Sequence, residues 1–307
     1  MTDDTTARKI LVTGGNGFVG RTLLPTLRDA GFDPGTPSRE DIGELGPGTD
    51  WHPFLFEVDT VIHLAARAHV MEDTAADPAA VFDRINHLGT ARLASQAAAA
   101  GVRRFVFMSS VKVHGDDSEA PLTARHPVAP TDPYGRSKLA AEQALTRYSG
   151  RMNVVILRPP LVYGPGVKGN FLSLLRLADR GLPLPLGGLN NKRSLIYVGN
   201  LADAILAALR VESGIYLPSD HDDVSTSELI RRVADALDRP ARLFKAPPGL
   251  LRSTAGALGR GPAIERLLGS LTVDGVVPGW HPAYRMPQGL ADTARWYRKL
   301  SDDARTA

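Results

Sequence analysis

The sequence predicts an α/β chain built on a doubly wound parallel sheet, with a smaller lobe formed from its C-terminal half. Three observations lead there. Short apolar runs of strand length alternate with helical stretches up to residue 157, the pattern of right-handed β-α-β units. A glycine-rich turn follows the first of those runs at once. Past about residue 163 the texture shifts to Gly- and Pro-rich segments joining shorter helices. At 307 residues and 43% hydrophobic, the chain can bury a large core in one big domain or two.

Taken in order, Lys9–Thr13 reads as the first strand and residues 21–30 as the helix after it. Residues 31–39 give a poor strand signal, because Pro34 and Pro37 interrupt them. Residues 58–64 read as a buried strand, 78–100 as a long helix, 104–109 as a strand, 132–148 as a helix and 153–157 as a strand. Shorter helices follow near 170–180, 200–210, 225–238 and 248–268. Residues 1–162 are thus expected to form a dinucleotide-binding domain, to which some later segments return. Residues 163–307 are expected to form mainly a substrate-binding lobe over the strand ends, where ligands bind in open α/β sheets.

Gly14, Gly17 and Gly20 make a G-x-x-G-x-x-G run at the first strand-to-helix turn. Glycine there allows a tight turn, lets backbone approach a pyrophosphate and packs the helix close to the sheet. The phosphates then meet free N–H groups at a helix N-terminus. A Rossmann-type dinucleotide site is expected, with Asn16, Phe18 and Val19 completing the turn. The choice of cofactor rests on what ends the second strand. Ser38-Arg39 stands where an acid would select NAD(H), and an arginine there accommodates a 2′-phosphate, so the expectation leans to NADP(H). Glu40, Asp41 or Glu44 would restore NAD(H) if the register shifts. Ser38, Arg39, Glu44 and Leu45 are the candidate cofactor contacts in this stretch.

Tyr134 and Lys138 stand four residues apart, on one face of the helix expected over 132–148. Asp132 is a good N-cap and Pro133 suits the first helical position, which places Tyr134 in the first turn. The helix dipole and the nearby ammonium are both expected to pull the phenol from a pKa near 10 toward neutrality. A tyrosine so tuned exchanges a proton with a sugar or alcohol hydroxyl.

Composition narrows the classes. A net charge of +3 with scattered arginines does not indicate a nucleic-acid surface. No apolar run reaches membrane-span length and the first nine residues are polar, so a soluble, cytoplasmic protein is expected. The absence of cysteine excludes disulfides and thiolate metal sites, and no metal is expected. Residues 247–268 interleave leucines with Arg252, Arg260 and Arg266, which suits either packing on the core or a basic amphipathic helix on a membrane surface.

These residues carry a resemblance to the extended short-chain dehydrogenase/reductases, specifically the nucleotide-sugar epimerase/dehydratase/reductase group. The matching runs are residues 14–20, His63-Leu64-Ala65-Ala66, Asn86-His87-Leu88-Gly89-Thr90, Ser109-Ser110, the Tyr134/Lys138 pair and residues 158–165. Asn170-Phe171 and residues 193–198 extend them into the second half. The runs 65–71, 109–115 and 181–187 are similar to the subgroup that reduces the 4-keto group of UDP-4-keto-6-deoxy-N-acetylglucosamine, commonly labelled UDP-glucose 4-epimerase-like.

The resemblance implies roles. Tyr134 would be the general acid in ketone reduction, or the base in alcohol oxidation. Lys138 would lower its pKa and hold the nicotinamide ribose, and Ser110 would hydrogen-bond the reacting oxygen. Leu64, Ala65, Ala66 and Pro159 would line the cofactor, while Asn86 would be structural. His69, Lys112, Asn170, Pro185 and Arg193 would contact substrate, Asn170 and Arg193 at the UDP pyrophosphate. A homodimer is the family's usual state. Val111-Lys112 stands where 4,6-dehydratases carry an Asp-Glu pair, which argues against elimination. His114 and Leu161 replace the family's usual Tyr and Asn, and residues 274–280 look shorter than the family's stretch. Three readings stay open: a nucleotide-sugar 4-ketoreductase, a 4-epimerase with the same residues and tightly held NAD, and a non-catalytic dinucleotide sensor.

Overall fold

A computed structural model describes residues 9–68, 77–257 and 261–306 of the chain. The first half runs β1 (Lys9–Thr13), α1 (Phe18–Asp29), β2 (Asp33–Gly35), α2 (Arg39–Ile42), β3 (Thr60–His63), α3 (Pro78–Phe82), α4 (Gly89–Ala99), β4 (Arg104–Met108), α5 (Pro133–Thr146) and β5 (Asn153–Leu157). The second half adds β6 (Leu161–Tyr163), α6 (Gly169–Asp179), β7 (Leu195–Tyr197), α7 (Val198–Ala208), β8 (Gly214–Tyr216), α8 (Thr226–Ala236), α9 (Pro248–Ala257), α10 (Gly261–Leu268) and α11 (Met286–Thr306). Six strands form one parallel sheet in the order β2-β1-β3-β4-β5-β8, and β6 pairs with β7 in a separate two-stranded sheet.

Both faces of the main sheet are dry, which explains why its strands read as continuous apolar runs rather than alternating ones. Successive side chains point to opposite faces. Ile10, Val12, Ile62, Val106, Met108, Val155 and Leu157 meet α1 and α7 on one side. Leu11, Val61, Phe105, Phe107, Val154 and Ile156 meet Leu93, Ala94 and Ala97 of α4 and Ala141 and Leu145 of α5 on the other. A second core gathers α6, α8 and α11 around Phe171, Leu175, Leu229, Val233, Leu290 and Tyr197.

The boundaries follow local chemistry. Asp77, Asp132 and Ser225 each cap a helix through a side-chain oxygen, and Pro78 and Pro133 occupy first-turn positions whose N–H would lack a partner. β2 carries Pro34 and is the outer strand on its side of the sheet, the place where a missing N–H costs least. The helical run expected over 78–100 is continuous but contains a π-helical turn at Asp83–Leu88. The run expected over 248–268 is two helices. α11 goes beyond the sequence expectation, which places no helix after 268; its buried residues Met286, Leu290, Ala294 and Tyr297 recur at helical spacing. β6, β7 and β8 are only three residues each and were hidden in the Gly/Pro-rich texture.

No described helix is long and apolar enough to cross a membrane. α9 and α10 turn Leu251, Ile264 and Leu268 onto Leu186, Leu189 and Ile230, and Arg252 pairs with Glu265 at 2.9 Å. That is the packing alternative for residues 247–268; Arg260 and the side chain of Arg266 lie outside the described residues.

Leu201 shows how the second half supports the first. It sits on α7, fully buried against the face carrying Ile10, Val12, Val106 and Val155. Leu201→Ala is expected to lower unfolding free energy by about 2–5 kcal/mol, the usual cost of a Leu-sized cavity, as measured by urea denaturation.

Candidate active site

From β1 the chain crosses to β2 on one side, and from β3 to β4 on the other, so a crevice opens beyond the carboxyl ends of β1 and β3. The glycine turn fills it. Gly14 has φ +73°, and a Cβ there would stand 2.7 Å from the Ala65 nitrogen. A Cβ at Gly20 would stand 2.4 Å from the Gly15 carbonyl oxygen. Gly17 N–H closes the turn onto the Gly14 carbonyl at 2.9 Å and precedes α1 as an N-cap without a side-chain acceptor. The first amides of α1 therefore lack a capping side chain, the arrangement that receives phosphates. Phe18 and Val19 are half-buried in the first turn, while Asn16 is exposed and its carbonyl accepts from Arg21 Nε at 3.0 Å. Thr36, just past β2 and beside Gly15, has a buried hydroxyl oxygen with no partner among the described residues. The cradle and the orphaned hydroxyl fit a dinucleotide.

Beyond β2, Glu40 stays exposed, but Glu44 is not left to receive ribose hydroxyls in the way the sequence allowed. That side chain forks onto Arg84, in the π-helical turn before α4, at 2.6 and 2.9 Å. Asp41 turns back to accept from Ser38 N–H at 2.7 Å, in a capping box that starts α2. Arg39 stays exposed at the first position of α2. Leu45 packs against Gly89 and the core below the sheet.

Tyr134 occupies the first turn of α5, as its Asp132 cap dictates; Gly135 N–H donates to Asp132 Oδ1 at 2.7 Å. Its ring meets Phe82 edge-on at 6.2 Å. The expected depression of its pKa is reversed. Burial pushes the phenol up to about 12, a hydrogen bond from Ser110 opposes this, and the charge of Asp132 adds to the rise. The ammonium of Lys138 does not act on it as expected. Lys138 is buried, donates to the Met108 carbonyl at 2.7 Å and lies 4.6 Å over the Phe107 ring. Burial lowers its pKa to about 7, with Glu142 pulling the other way. Ser110 caps the turn at Val111–His114, accepting from Lys112 N–H at 3.2 Å. Pro159 is buried, and its carbonyl accepts from Val111 N–H at 3.0 Å, so the Ser110 segment and the Pro159 segment are tied together. Leu64, Ala65 and Ala66 are half-buried where β3 leads into the crevice.

The candidate substrate residues are less gathered. His69 lies outside the described residues. Lys112 is committed to carboxylates, pairing with Asp116 and reaching Asp132 at 3.1 Å, so it steadies the cap of α5. Asn170 is exposed at the second position of α6, and Pro185 is half-buried. Arg193 is half-buried, not a loose loop cation; its guanidinium donates to the Gly269 carbonyl at 3.1 Å, and its backbone pairs with Val224.

Below these groups is a buried network that sequence reasoning missed. Glu142 accepts from Ser109 and from Arg158, at 3.0 and 2.5 Å for the two guanidinium bonds. Arg158 also donates to His114 Nε2 at 3.0 Å, and His114 Nδ1 meets the Pro127 carbonyl at 3.0 Å. Burial holds His114 below the usual histidine pKa. The signal was available: charged and hydroxyl residues embedded in otherwise apolar stretches need partners. Asn86 bridges the Arg67 backbone and Ser137 Oγ, the structural role expected of it, although it links a loop and a helix rather than strands.

The lowered Lys138 pKa has a consequence for stability. Between about 7 and its ordinary value of 10.5 the unfolded chain carries the proton and the folded protein does not, so stability rises with pH across that window. Tyr134 acts oppositely above pH 10, where only the unfolded chain ionises until about 12. Melting temperature is therefore expected to climb from pH 7 to 9 in the native protein and to climb less in Lys138→Met, as read by calorimetry in matched buffers.

Comparison with known proteins agrees with this geometry. The NAD dependent epimerase/dehydratase family matches residues 10–216. A protein of Vibrio cholerae named UDP-glucose 4-epimerase is 37% identical, with 96% of this chain and 97% of that one covered. A ceramide reductase of Caulobacter vibrioides is 29% identical, with 94% of each covered. Among solved structures, MoeE5 in complex with UDP-glucuronic acid and NAD superposes with a TM-score of 0.73 at 26% identity, covering 95% of this chain and 99% of that one. With its glycine turn and Tyr/Lys helix in the family's order, this chain belongs to the NAD-dependent epimerase/dehydratase family of extended short-chain dehydrogenase/reductases.

Proposed function

We propose that the protein is a cytoplasmic nucleotide-sugar 4-ketoreductase that uses NADP(H) in preference to NAD(H) and acts on a UDP-linked 4-keto-6-deoxy-hexosamine. The observation that carries the reading is the end of β2. Arg39 is exposed there, Thr36 offers an unpartnered hydroxyl, and Asp41 and Glu44 are occupied by Ser38 and Arg84. A site with an exposed guanidinium and a buried hydroxyl, and with two of its three nearby carboxylates engaged while Glu40 stays exposed, favours a 2′-phosphate. A cofactor that turns over suits a reductase, whereas an epimerase keeps its NAD throughout.

The proton chemistry is compatible with this reading, because a protonated phenol is the form that donates to a ketone oxygen. The dinucleotide, when bound, supplies the redox chemistry. Tyr134 gives its proton to the C4 oxygen, Ser110 hydrogen-bonds that oxygen, and charge does not accumulate on it. Lys138 is the donor to the nicotinamide ribose, and Leu64, Ala65, Ala66 and Pro159 line the cofactor. Asn170, Pro185 and Arg193, in the lobe formed by residues 163–307, contact the substrate, and the working unit is a homodimer. Val111-Lys112 offers no acid and base for water elimination, so a dehydratase is not supported.

A second reading, a UDP-sugar 4-epimerase using the same Tyr134, Lys138 and Ser110, is favoured by the name of the Vibrio cholerae relative. Mass spectrometry of reactions with a panel of UDP-sugars and 4-keto sugars separates the two. A gain of about two mass units with NADPH is expected for the reductase. Isomer formed at constant mass without added cofactor would establish the epimerase instead. Tyr134→Phe is expected to lower kcat by roughly 10²–10⁴, the range for a lost general acid. Arg39→Ala is expected to weaken NADPH binding about tenfold to a hundredfold in fluorescence titration while leaving NADH nearly unchanged.

A further inference from the structure

His114 closes the short turn that Ser110 begins. That turn, Val111–His114, is capped by Ser110 Oγ, which accepts from Lys112 N–H at 3.2 Å. Backbone bonds tie it to its surroundings at two points. Val111 N–H donates to the Pro159 carbonyl at 3.0 Å, and Ala129 N–H donates to the Val113 carbonyl at 3.0 Å. The His114 ring adds a third tie, with Nδ1 at 3.0 Å from the Pro127 carbonyl and Nε2 at 3.0 Å from Arg158 Nη1. Arg158 and Pro159 are chain neighbours just beyond β5, so one short segment grips both ends of the Ser110 turn.

The two partners of the ring fix its proton. A carbonyl oxygen only accepts and a guanidinium only donates, so Nδ1 carries the hydrogen and Nε2 offers its lone pair. A second proton, on Nε2, would set a donor against a donor and a cation against a cation. Arg158 cannot swing away, because Glu142 holds its Nε and Nη2 at 3.0 and 2.5 Å. His114 and Arg158 are 7% and 3% exposed, so neither turns to solvent without displacing the turn. The charged and titratable groups facing the ring are Arg158 beyond β5, Glu142 from α5 and His126 from the loop before α5. On its own segment Lys112 is paired with Asp116 and Asp132. Burial holds the ring below the ordinary histidine value of 6.5; the Pro127 carbonyl and Glu142 oppose this, and Arg158 and His126 reinforce it. The stability the ring contributes is therefore present above pH 6.5 and lost as the pH falls, because the unfolded chain takes the proton more readily. A tyrosine, the family's usual residue here, has no such titration in acid.

We propose that His114 is a positioning residue whose neutral ring clamps the Ser110 turn between Arg158 and Pro127, and that acid releases the clamp and stops the reaction. The proposal rests on Ser110 and Tyr134 acting at the substrate's carbonyl oxygen. Its test is the pH profile of kcat with NADPH and a UDP-4-keto-6-deoxy-hexosamine, each protein normalised to its own value at pH 8. Native kcat is expected to fall about tenfold per pH unit below the titration of the ring, with KM for NADPH changed less than threefold. His114→Gln and His114→Tyr keep an acceptor for Arg158 but cannot take the proton, so that step is expected to vanish from their profiles. Dividing the native profile by theirs removes every titration the proteins share. His114→Leu lacks the acceptor at any pH, and its kcat at pH 8 is expected to be about tenfold below native, without the acid step. In ¹⁵N-histidine NMR the His114 ring is expected to be the Nδ1–H tautomer above pH 6.5, and to take its second proton at the midpoint of the quotient of profiles. If the ring takes that proton while the quotient stays flat within twofold, or stays neutral down to pH 4.5, the inference falls. Should one of the two polar variants fail to fold, the other decides. Tyr134→Phe, assayed beside them at pH 8, separates the failures: activity retained there overturns the function itself, whereas activity lost there with a flat quotient overturns only the clamp.

Discussion

The four inner strands of the main sheet end, at their carboxyl termini, on polar groups that the flanking layers shut off from water. β1 ends on Thr13, β3 on His63, β4 runs into Ser109 and β5 into Arg158, all nearly or fully buried. Such groups are tolerated only when hydrogen-bonded. Their partners come from the helices that cover the sheet: Thr90 from α4 for His63, and Glu142 from α5 for Ser109 and Arg158. The need to satisfy these strand ends fixes where α4 and α5 sit, and α5 carries Tyr134 and Lys138.

The Glu142–Arg158 pair illustrates the stakes. Both groups are almost fully buried, and their attraction alone would not offset the loss of hydration. Ser109 and His114 satisfy remaining acceptor and donor positions, which turns an expensive pair into a closed network. His114, standing where the family usually has Tyr, is therefore wired into the layer beneath the site. Its ring joins Arg158 to the Pro127 carbonyl in the loop that leads to α5.

Burial decides the protonation states as well. A buried phenol prefers its neutral form and a buried amine prefers to lose its proton, so Tyr134 and Lys138 are displaced in opposite directions, each toward neutrality of charge. The expected phenolate-favouring pair does not form in this state because Lys138 has a nearer acceptor, the Met108 carbonyl at the end of β4.

The sequence by itself determined β1, β3, β4 and β5 of the main sheet, the glycine turn and the capped start of α5, but not β2, whose prolines hid it. Those features depend on local rules: apolar runs, glycine at a tight turn, a capping aspartate before proline. Only the tertiary structure decided that Glu44 belongs to Arg84 and Arg193 to Gly269, that β8 and α7 complete the main sheet's layers, and that α11 closes the second core. It also decided which way the Tyr134 proton is held. Pairings between residues tens of positions apart, and the loss of water around a titrating group, depend on what surrounds an atom in space, and neither periodicity nor spacing along a chain encodes that.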